Sequence, residues 1–266
     1  MEQRLAGDHV YLSIVIPAYK ESVKIERDID EAARFLAENR IPGEILVVDD
    51  GSPDDTAKRA AALRSRHSNL TVLSYEPNRG KGHAVRYGIL RARGDLVMFA
   101  DSGLCVPYEI AKIGIAMIEM DMCDIAYGSR RMRGSIVVAQ PLYRRVGSRI
   151  FKLFIHAFMG IPLYISDTQC GFKVYRREVA QALYSAAFTD GFMFDTEIIL
   201  RALHEKYRLL EFPVLWSNDP DTRFDPVRHT GRLLRDLLKM RYKLSRIGRG
   251  SVKPREPVTE RVAADG

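Results

Sequence analysis

The apolar run Leu12 to Ala18 breaks at Tyr19-Lys20-Glu21. A second run, Ile45-Leu46-Val47-Val48, stops at Asp49-Asp50-Gly51-Ser52. Similar runs occupy 70–74, 96–100 and 124–128. Short continuous apolar runs read as strands buried on both faces, the habit of parallel sheets. Between them lie helix-like stretches at 25–38, 54–66, 84–92 and 107–120. Asp54 is placed to cap the second by accepting a bond from a free amide. This alternation predicts an α/β fold, with a Rossmann-like, mostly parallel central sheet flanked by helices on both faces. Right-handed crossovers then collect the strand ends along one edge. In such sheets ligands bind beyond the carboxyl ends of the strands.

The second half has a different rhythm. It predicts an amphipathic helix over 143–158, a loop entering a strand over 167–175, and helices over 178–187 and 194–206. A strand at 209–216, a polar loop at 217–226 and a basic amphipathic helix at about 227–247 follow. Residues 1–247 read as a single domain that includes this C-terminal helix. The tail, 248–266, is charged and rich in Pro and Gly, which predicts disorder.

Composition narrows the classes. A chain of 266 residues is enough for one large domain. Cysteines 105, 123 and 170 form no zinc spacing and no paired framework. That fits reduced thiols in the cytoplasm. The start, Met1 to His9, is too polar for a signal peptide. No run of about 18 apolar residues is present to span a membrane. Net charge is +7, with much of the excess late in the chain.

The strand ends supply the chemistry. Pro17, Ala18, Tyr19 and Glu21 leave the first strand, Asp49 and Asp50 the second, and Asn78-Arg79-Gly80-Lys81-Gly82 follows the third. Asp101 leaves the fourth, and Gly128-Ser129-Arg130 the fifth. Carboxylates at such a mouth accept bonds from a base and ribose, or hold a cation. The glycines beside Lys81 let the backbone approach a phosphate and set a cation near it, although a tight turn alone would also explain them.

These segments, Pro17-Ala18-Tyr19-Lys20-Glu21, Val48-Asp49-Asp50-Gly51-Ser52, Asn78-Arg79-Gly80-Lys81-Gly82 and Phe99-Ala100-Asp101, resemble the motifs of the nucleotide-sugar-dependent glycosyltransferases of family 2, of the GT-A fold. Downstream, Ser166-Asp167-Thr168-Gln169-Cys170-Gly171-Phe172-Lys173 and Gly191-Phe192-Met193-Phe194-Asp195-Thr196-Glu197 resemble the polyprenyl-phosphate enzymes. They are more similar to the dolichyl-phosphate glucosyltransferase branch than to the mannosyl branch. The resemblance covers roughly residues 11–246. It implies inverting transfer of a sugar, glucose favoured, from a nucleoside-diphosphate sugar, UDP favoured, to a polyprenyl or dolichyl phosphate. A glycosyltransferase with a soluble or protein acceptor is the rival enzyme.

The resemblance also implies roles. Pro17, Ala18, Tyr19, Glu21, Asp49, Asp50, Gly80, Lys81, Asp101 and Ser102 would bind the donor. Arg130, Gln169 and Lys173 would hold the acceptor phosphate. Asp101, Arg130 and Asp167 would be the catalytic group, and Asp101 would take Mg²⁺ or Mn²⁺. A phosphate acceptor is largely ionised at neutral pH, so Asp167 is either a base or the group that orients Lys173 or an arginine. Asp195 reads equally as a helix cap and as a functional carboxylate. One position departs from the family: Gly103 stands where the second carboxylate of the metal motif is usual. Three readings stay open there. Asp101, diphosphate and water hold the metal; or Arg130 or Lys81 neutralises the diphosphate without metal; or the chain is a weakened or non-catalytic nucleotide-sugar-binding homologue.

An isoprenoid acceptor stays in the bilayer, so the enzyme is expected at the cytoplasmic face of a membrane, as a peripheral protein on an anionic surface. Two segments fit. Residues 144–155 mix basic and large apolar groups. The late helix sets Leu233, Leu234, Leu237, Leu238 and Leu244 against Arg228, Arg232, Arg235, Lys239, Lys243 and Arg246. An ordinary surface helix with its leucines in the core is the alternative, and self-association into a homo-oligomer would also cover such a face. The basic stretch lacks interleaved aromatics, which argues against nucleic acid.

Overall fold

Apolar runs become strands here because both faces of the sheet are covered. The computed structural model describes residues 9–138, 153–217 and 235–244. The first half forms β1 (Leu12–Ala18), α1 (Ile25–Glu38), β2 (Gly43–Asp49), α2 (Thr56–Ala62), β3 (Leu70–Ser74), α3 (Lys81–Ile89), β4 (Leu96–Ala100), α4 (Ala111–Glu119), β5 (Ile125–Ser129) and β6 (Ile136–Val138). Helix α5 is described over 153–159. Then come β7 (Phe172–Arg176), α6 (Arg177–Ala186), α7 (Phe194–His204), β8 (Leu209–Pro213) and β9 (Leu215–Ser217). Helix α8 is described over 235–244.

The central sheet has seven strands in the order β3-β2-β1-β4-β7-β5-β8. Strands β3, β2, β1 and β4 are mutually parallel, and β8 is parallel to β5. Strand β7 lies between β4 and β5 and is antiparallel to both. The expected mostly parallel α/β sheet is therefore present, with one reversed strand. A second, two-stranded sheet pairs β6 with β9.

Two apolar cores flank the sheet. One packs Ile25, Ile29 and Phe35 of α1 and Ile115 and Ile118 of α4 against one face. The other packs Val85 and Ile89 of α3, Leu183 of α6 and Ile198 of α7 against the opposite face. Ser13 and Glu44 are polar residues inside buried strands. The Ser13 hydroxyl donates to Glu44 (2.7 Å), and the Arg93 amide donates to the same carboxylate (2.7 Å), so the pair is satisfied.

Several elements differ from the sequence reading. Helix α3 starts at Lys81, not Ala84, because the Gly80-Lys81-Gly82 turn is its first turn. The 54–66 and 107–120 stretches carry short 3₁₀ turns at Leu63–Ser65 and Tyr108–Ile110. The 209–216 strand divides at Val214 into β8 and β9, and β6 carries no sequence signal of its own. Asp54 does accept from the Thr56 amide at the start of α2 (3.1 Å).

The late helix is corrected in part. Leu237 and Met240 of α8 are fully buried in the second core, and Leu244 packs against it. Its aliphatic face therefore meets the protein, leaving Leu238 and Tyr242 exposed. Among the described residues no helix is long and apolar enough to cross a membrane. The N-terminal residues 1–8, residues 143–152, the 218–226 loop, residues 227–234 and 245–247, and the 248–266 tail lie outside the described residues.

Helix α3 lies close on the sheet at Gly88. A Cβ there would meet Val15 Cγ1 at 2.5 Å and Val48 Cγ2 at 2.9 Å. Gly88→Ala is expected to overpack this contact and lower stability by about 1–3 kcal/mol. A fall in the chemical-denaturation midpoint checks it; an unchanged midpoint would show that α3 is free to lift.

Candidate active site

The ends of β1 and β2 are tied into one lip. The Asp50 amide donates to Ala18 O (2.9 Å), the Lys20 amide to Ser52 Oγ (2.9 Å), and the Glu21 amide to Thr56 Oγ1 (2.8 Å). Pro17 and Ala18 are buried within β1, so of the expected Pro17-Ala18-Tyr19 wall only Tyr19 presents its side chain to solvent.

The adjacent carboxylates Asp49 and Asp50 do different work. Asp50 Oδ1 accepts from Tyr75 OH and the Arg79 amide, both at 2.8 Å. Its Oδ2 accepts from Asn78 Nδ2 (2.8 Å) and the Gly80 amide (2.9 Å). Four donors saturate it, so Asp50 folds the 75–80 loop onto the sheet and has little left for a donor molecule. Burial, and then the hydrogen bond to Asp50, hold the Tyr75 phenol well above its ordinary pKa. Asp49 accepts through Oδ2 from Ser52 N (3.2 Å) and Ser74 Oγ (3.1 Å). Its Oδ1 is buried and has no hydrogen-bond partner among the described residues. A buried acceptor left unpaired is costly, which makes Asp49 the carboxylate of this lip suited to a ligand's donor.

At the end of β4, Asp101 meets Lys81 from the start of α3, Nζ to Oδ1 at 2.6 Å. Burial alone would lower the Lys81 pKa; the charges of Asp101 and Asp195 outweigh it and hold it above the ordinary lysine value. Gly171 makes room for this pair. A Cβ at Gly171 would fall on the Asp101 carboxylate itself, and the Asp101 amide donates to Gly171 O (2.9 Å). Gly80 and Gly82 are close-approach positions too. Cβ atoms there would stand 2.5 Å from Asp190 O and Thr189 O, respectively. The loop ahead of α7 thus locks the start of α3. Ser102 follows Asp101 in the same turn, half-buried.

At the end of β5, Arg130 and Asp167 form a bidentate pair. Arg130 Nε donates to Asp167 Oδ2 (2.7 Å) and Nη2 to Oδ1 (2.9 Å). The Arg130 amide donates to Oδ2 and the Gln169 amide to Oδ1, both at 3.2 Å, so the carboxylate receives four nitrogen donors. Glu211 of β8 holds the 166–167 backbone, accepting from both amides at 2.7 and 2.9 Å. Burial alone would raise the Asp167 pKa, but Arg130 overrides it and holds the carboxyl well below the ordinary range. A carboxylate so held is a poor proton acceptor, which favours the orienting role over the base. The oriented group is Arg130. Trp216, the only tryptophan in the chain, lies with its ring 5.6 Å from the guanidinium.

Two expected acceptor contacts are corrected. Lys173 is 1% exposed, and its ammonium donates to Asp195 Oδ1 and Cys170 O, both at 2.6 Å. It lies in the sheet beneath the mouth, where it cannot meet a lipid phosphate. Asp195, expected either as a helix cap or as a functional carboxylate, lies in the first turn of α7 as the buried partner of Lys173. Burial pushes its pKa up, against the opposing pull of Lys173 and Lys81. Gln169, half-buried, commits its amide to Met193 Sδ (3.2 Å), just ahead of α7, and to Thr196 Oγ1 (3.4 Å) in its first turn.

A divalent cation such as Mg²⁺ or Mn²⁺ wants several hard oxygen ligands. Among the described residues no group of three or more His, Cys, Asp and Glu side chains is arranged to hold one. Asp101 already faces an ammonium. Gly103 offers no carboxylate, and its amide donates to the buried Asp28 Oδ2 (2.6 Å). Its φ of +92° is a conformation that suits glycine. The turn is shaped around glycine, and the residues present do not fit a protein-built divalent site at Asp101.

A small recess lined by Asp101, Cys105, Cys170, Gly171 and Trp216 opens beside these groups. Burial pushes the Cys170 thiol up to about 12, so it is inert. A larger hollow of about 310 Å³ lies at the opposite ends of the strands, lined by Tyr11, Asp95, Glu119 and Arg176 among others. None of the strand-end motifs reaches it.

Comparison with known proteins agrees with this geometry. Residues 13–184 match the model of glycosyl transferase family 2. The dolichyl-phosphate beta-glucosyltransferase of Dictyostelium discoideum is 29% identical over 255 residues, covering 91% of this chain and 77% of that one. The Homo sapiens protein of the same name is 30% identical over 244 residues, covering 87% and 75%. Among solved structures, glucosyl-3-phosphoglycerate synthase from Mycobacterium tuberculosis, in complex with Mn²⁺ and UDP-glucose, superposes with a TM-score of 0.66. It is 19% identical and covers 87% of this chain and 79% of its own. At that identity the likeness shows the fold, which is the expected GT-A arrangement.

The Arg130–Asp167 pair carries a pH signature. Because the folded pKa of Asp167 is depressed, the pair's stabilisation is complete above the unfolded carboxyl pKa of about 3.9. It is lost as pH falls through the folded value. Asp167→Asn is expected to cost roughly 3 kcal/mol at neutral pH. The gap to wild type should close as pH falls below about 4, measured by urea unfolding across pH. A gap that persists in acid would show that Asp167 is not held as an ion pair.

Proposed function

Because this chain belongs to glycosyl transferase family 2, we propose that it transfers glucose from UDP-glucose to a polyprenyl phosphate at a membrane surface. It is a glycosyltransferase. The names of its relatives, dolichyl-phosphate beta-glucosyltransferases, support the acceptor class. The observation that carries the reading is the adjacency of two cationic groups at one mouth. Lys81 sits on Asp101 at the end of β4 and Arg130 on Asp167 at the end of β5, the two strands that flank β7.

The nucleoside is assigned to the lip formed by β1 and β2, with Asp49 Oδ1 as acceptor and Tyr19 as the exposed ring. The diphosphate then lies toward Lys81 and the first turn of α3, the positive end of its dipole. Arg130 uses Nε and one Nη2 hydrogen on Asp167, which leaves guanidinium hydrogens for the acceptor phosphate. A phosphate oxygen attacks the anomeric carbon as the bond to the UDP oxygen breaks. The electron pair leaves with UDP, and the configuration inverts. No proton has to be removed, since the acceptor phosphate is already largely ionised (second pKa about 6). That agrees with an Asp167 that orients instead of accepting a proton. The positive groups stabilise charge that develops on the leaving diphosphate.

Access for a lipid is supported by the chain leading into Asp167. Leu153 is 68% exposed, Leu163 78% and Tyr164 70%, with Phe154 and Phe192 also at the surface. Leu163 and Tyr164 lie just ahead of Asp167, the partner of Arg130, and exposed apolar side chains there suit an isoprenyl chain.

The test is transfer from radiolabelled UDP-glucose to polyprenyl phosphate in detergent, with co-sedimentation on anionic liposomes. The expected result is an inverted glucosyl lipid and bound protein, with Arg130→Lys lowering turnover about a hundredfold because the fork on Asp167 is lost. No product with any common nucleotide sugar would refute the enzyme reading. Product on a soluble phosphate acceptor, without liposome binding, would move the acceptor away from lipids.

A further inference from the structure

We infer that Lys81 replaces the divalent cation in this enzyme, so that donor binding and sugar transfer proceed without metal. The inference rests on the donor assignment above. Four observations meet at one place. The ammonium of Lys81 lies 2.6 Å from Asp101 Oδ1, on the carboxylate expected to carry metal. The second carboxylate of that motif is Gly103, whose backbone is set at φ +92° and whose amide is held by Asp28. An aspartate could not enter there without strain and loss of that turn. Gly171 gives the Asp101 carboxylate the room it occupies. No other cluster of metal-ligating side chains stands among the described residues to supply a cation.

The electrostatics are self-consistent. An ammonium has three donors. The contact with Asp101 is an ion pair without hydrogen-bond geometry, so donors of the ammonium remain for diphosphate oxygens. Asp101 in this arrangement anchors and orients Lys81. The ring of Phe99 lies 5.7 Å beneath the ammonium and adds a further restraint on its position. Below it, Lys173 pairs with Asp195, while Asp101 is the nearer carboxylate for Lys81. On the far side Asp167 is matched by Arg130. Asp101, Asp167 and Asp195 are thus each matched by a cation, and an arriving diphosphate meets none of these three unpaired. In an enzyme that relies on metal, the same carboxylates would need the ion before the diphosphate could approach.

The experiment is calorimetric titration of the full-length protein with UDP, first after EDTA treatment and then with Mn²⁺ in excess. Initial rates of glucose transfer are measured in the same two states. The expected result is UDP affinity and turnover that agree within about threefold between the two states, against the tenfold or more expected if a charged ligand were removed. Lys81→Met should weaken UDP about tenfold or more in EDTA, while Lys81→Arg, which keeps the charge, should stay near wild type. Thermal melts of each variant confirm folding, and the wild-type comparison does not depend on either variant. UDP binding or turnover that requires Mn²⁺ would overturn the inference and leave the donor reading standing. Absence of UDP binding in both states would overturn both.

Discussion

Strand β7 runs against both of its neighbours, and that reversal completes the mouth by bringing Asp167 and Gly171 to it. A parallel strand would enter the sheet at the far edge. Because β7 is antiparallel, the residues just before it arrive at the carboxyl ends of β4 and β5. Asp167 is thereby delivered to Arg130, which leaves β5, and Gly171 to Asp101, which leaves β4. Lys173, one residue into β7, pairs in register with Phe99 and Tyr127 and is drawn under the surface to Asp195. One hydrogen-bonded strand thus sets the Arg130–Asp167 pair, seats the Lys81–Asp101 pair, and buries the Lys173–Asp195 pair.

Charge at this mouth is balanced locally. Lys81 faces Asp101, Arg130 faces Asp167 and Lys173 faces Asp195. Isolated buried charges are expensive, and pairing with added hydrogen bonds is what makes them tolerable. Each pair here has a geometric guarantor. Gly171 leaves space for Asp101, the Gln169 amide and Glu211 fix the Asp167 segment, and Cys170 O completes Lys173. The fixed dipoles and charges are in place before a substrate arrives, which is the condition under which electrostatic stabilisation of a leaving group is largest.

Much of this was legible in the chain. The runs 12–18, 70–74 and 96–100 became strands with those bounds, because strands covered on both faces read as unbroken apolar segments. The collection of Asp49, Asp101 and Arg130 at one edge followed from parallel topology. Three things could not be read. The direction of β7 depends on which neighbours it joins, and the segment Phe172–Arg176 looks the same either way. Asp49 and Asp50 sit side by side in one motif, and only the fold of the 75–80 loop shows that four donors claim Asp50. Lys173 is a basic residue near a polar run, and sequence alone does not distinguish a phosphate contact from a buried partner of Asp195. Burial likewise decided Leu237 and Met240, which face the core and not a bilayer.

The most direct measurement is a crystal structure of the protein with UDP-glucose bound. The account predicts uridine within hydrogen-bond reach of Asp49 Oδ1, the diphosphate on Lys81, and the glucose ring between Asp101 and Arg130. A nucleotide seated in the hollow by Tyr11, Asp95 and Arg176, or one that leaves Lys81 and Arg130 untouched, would contradict it.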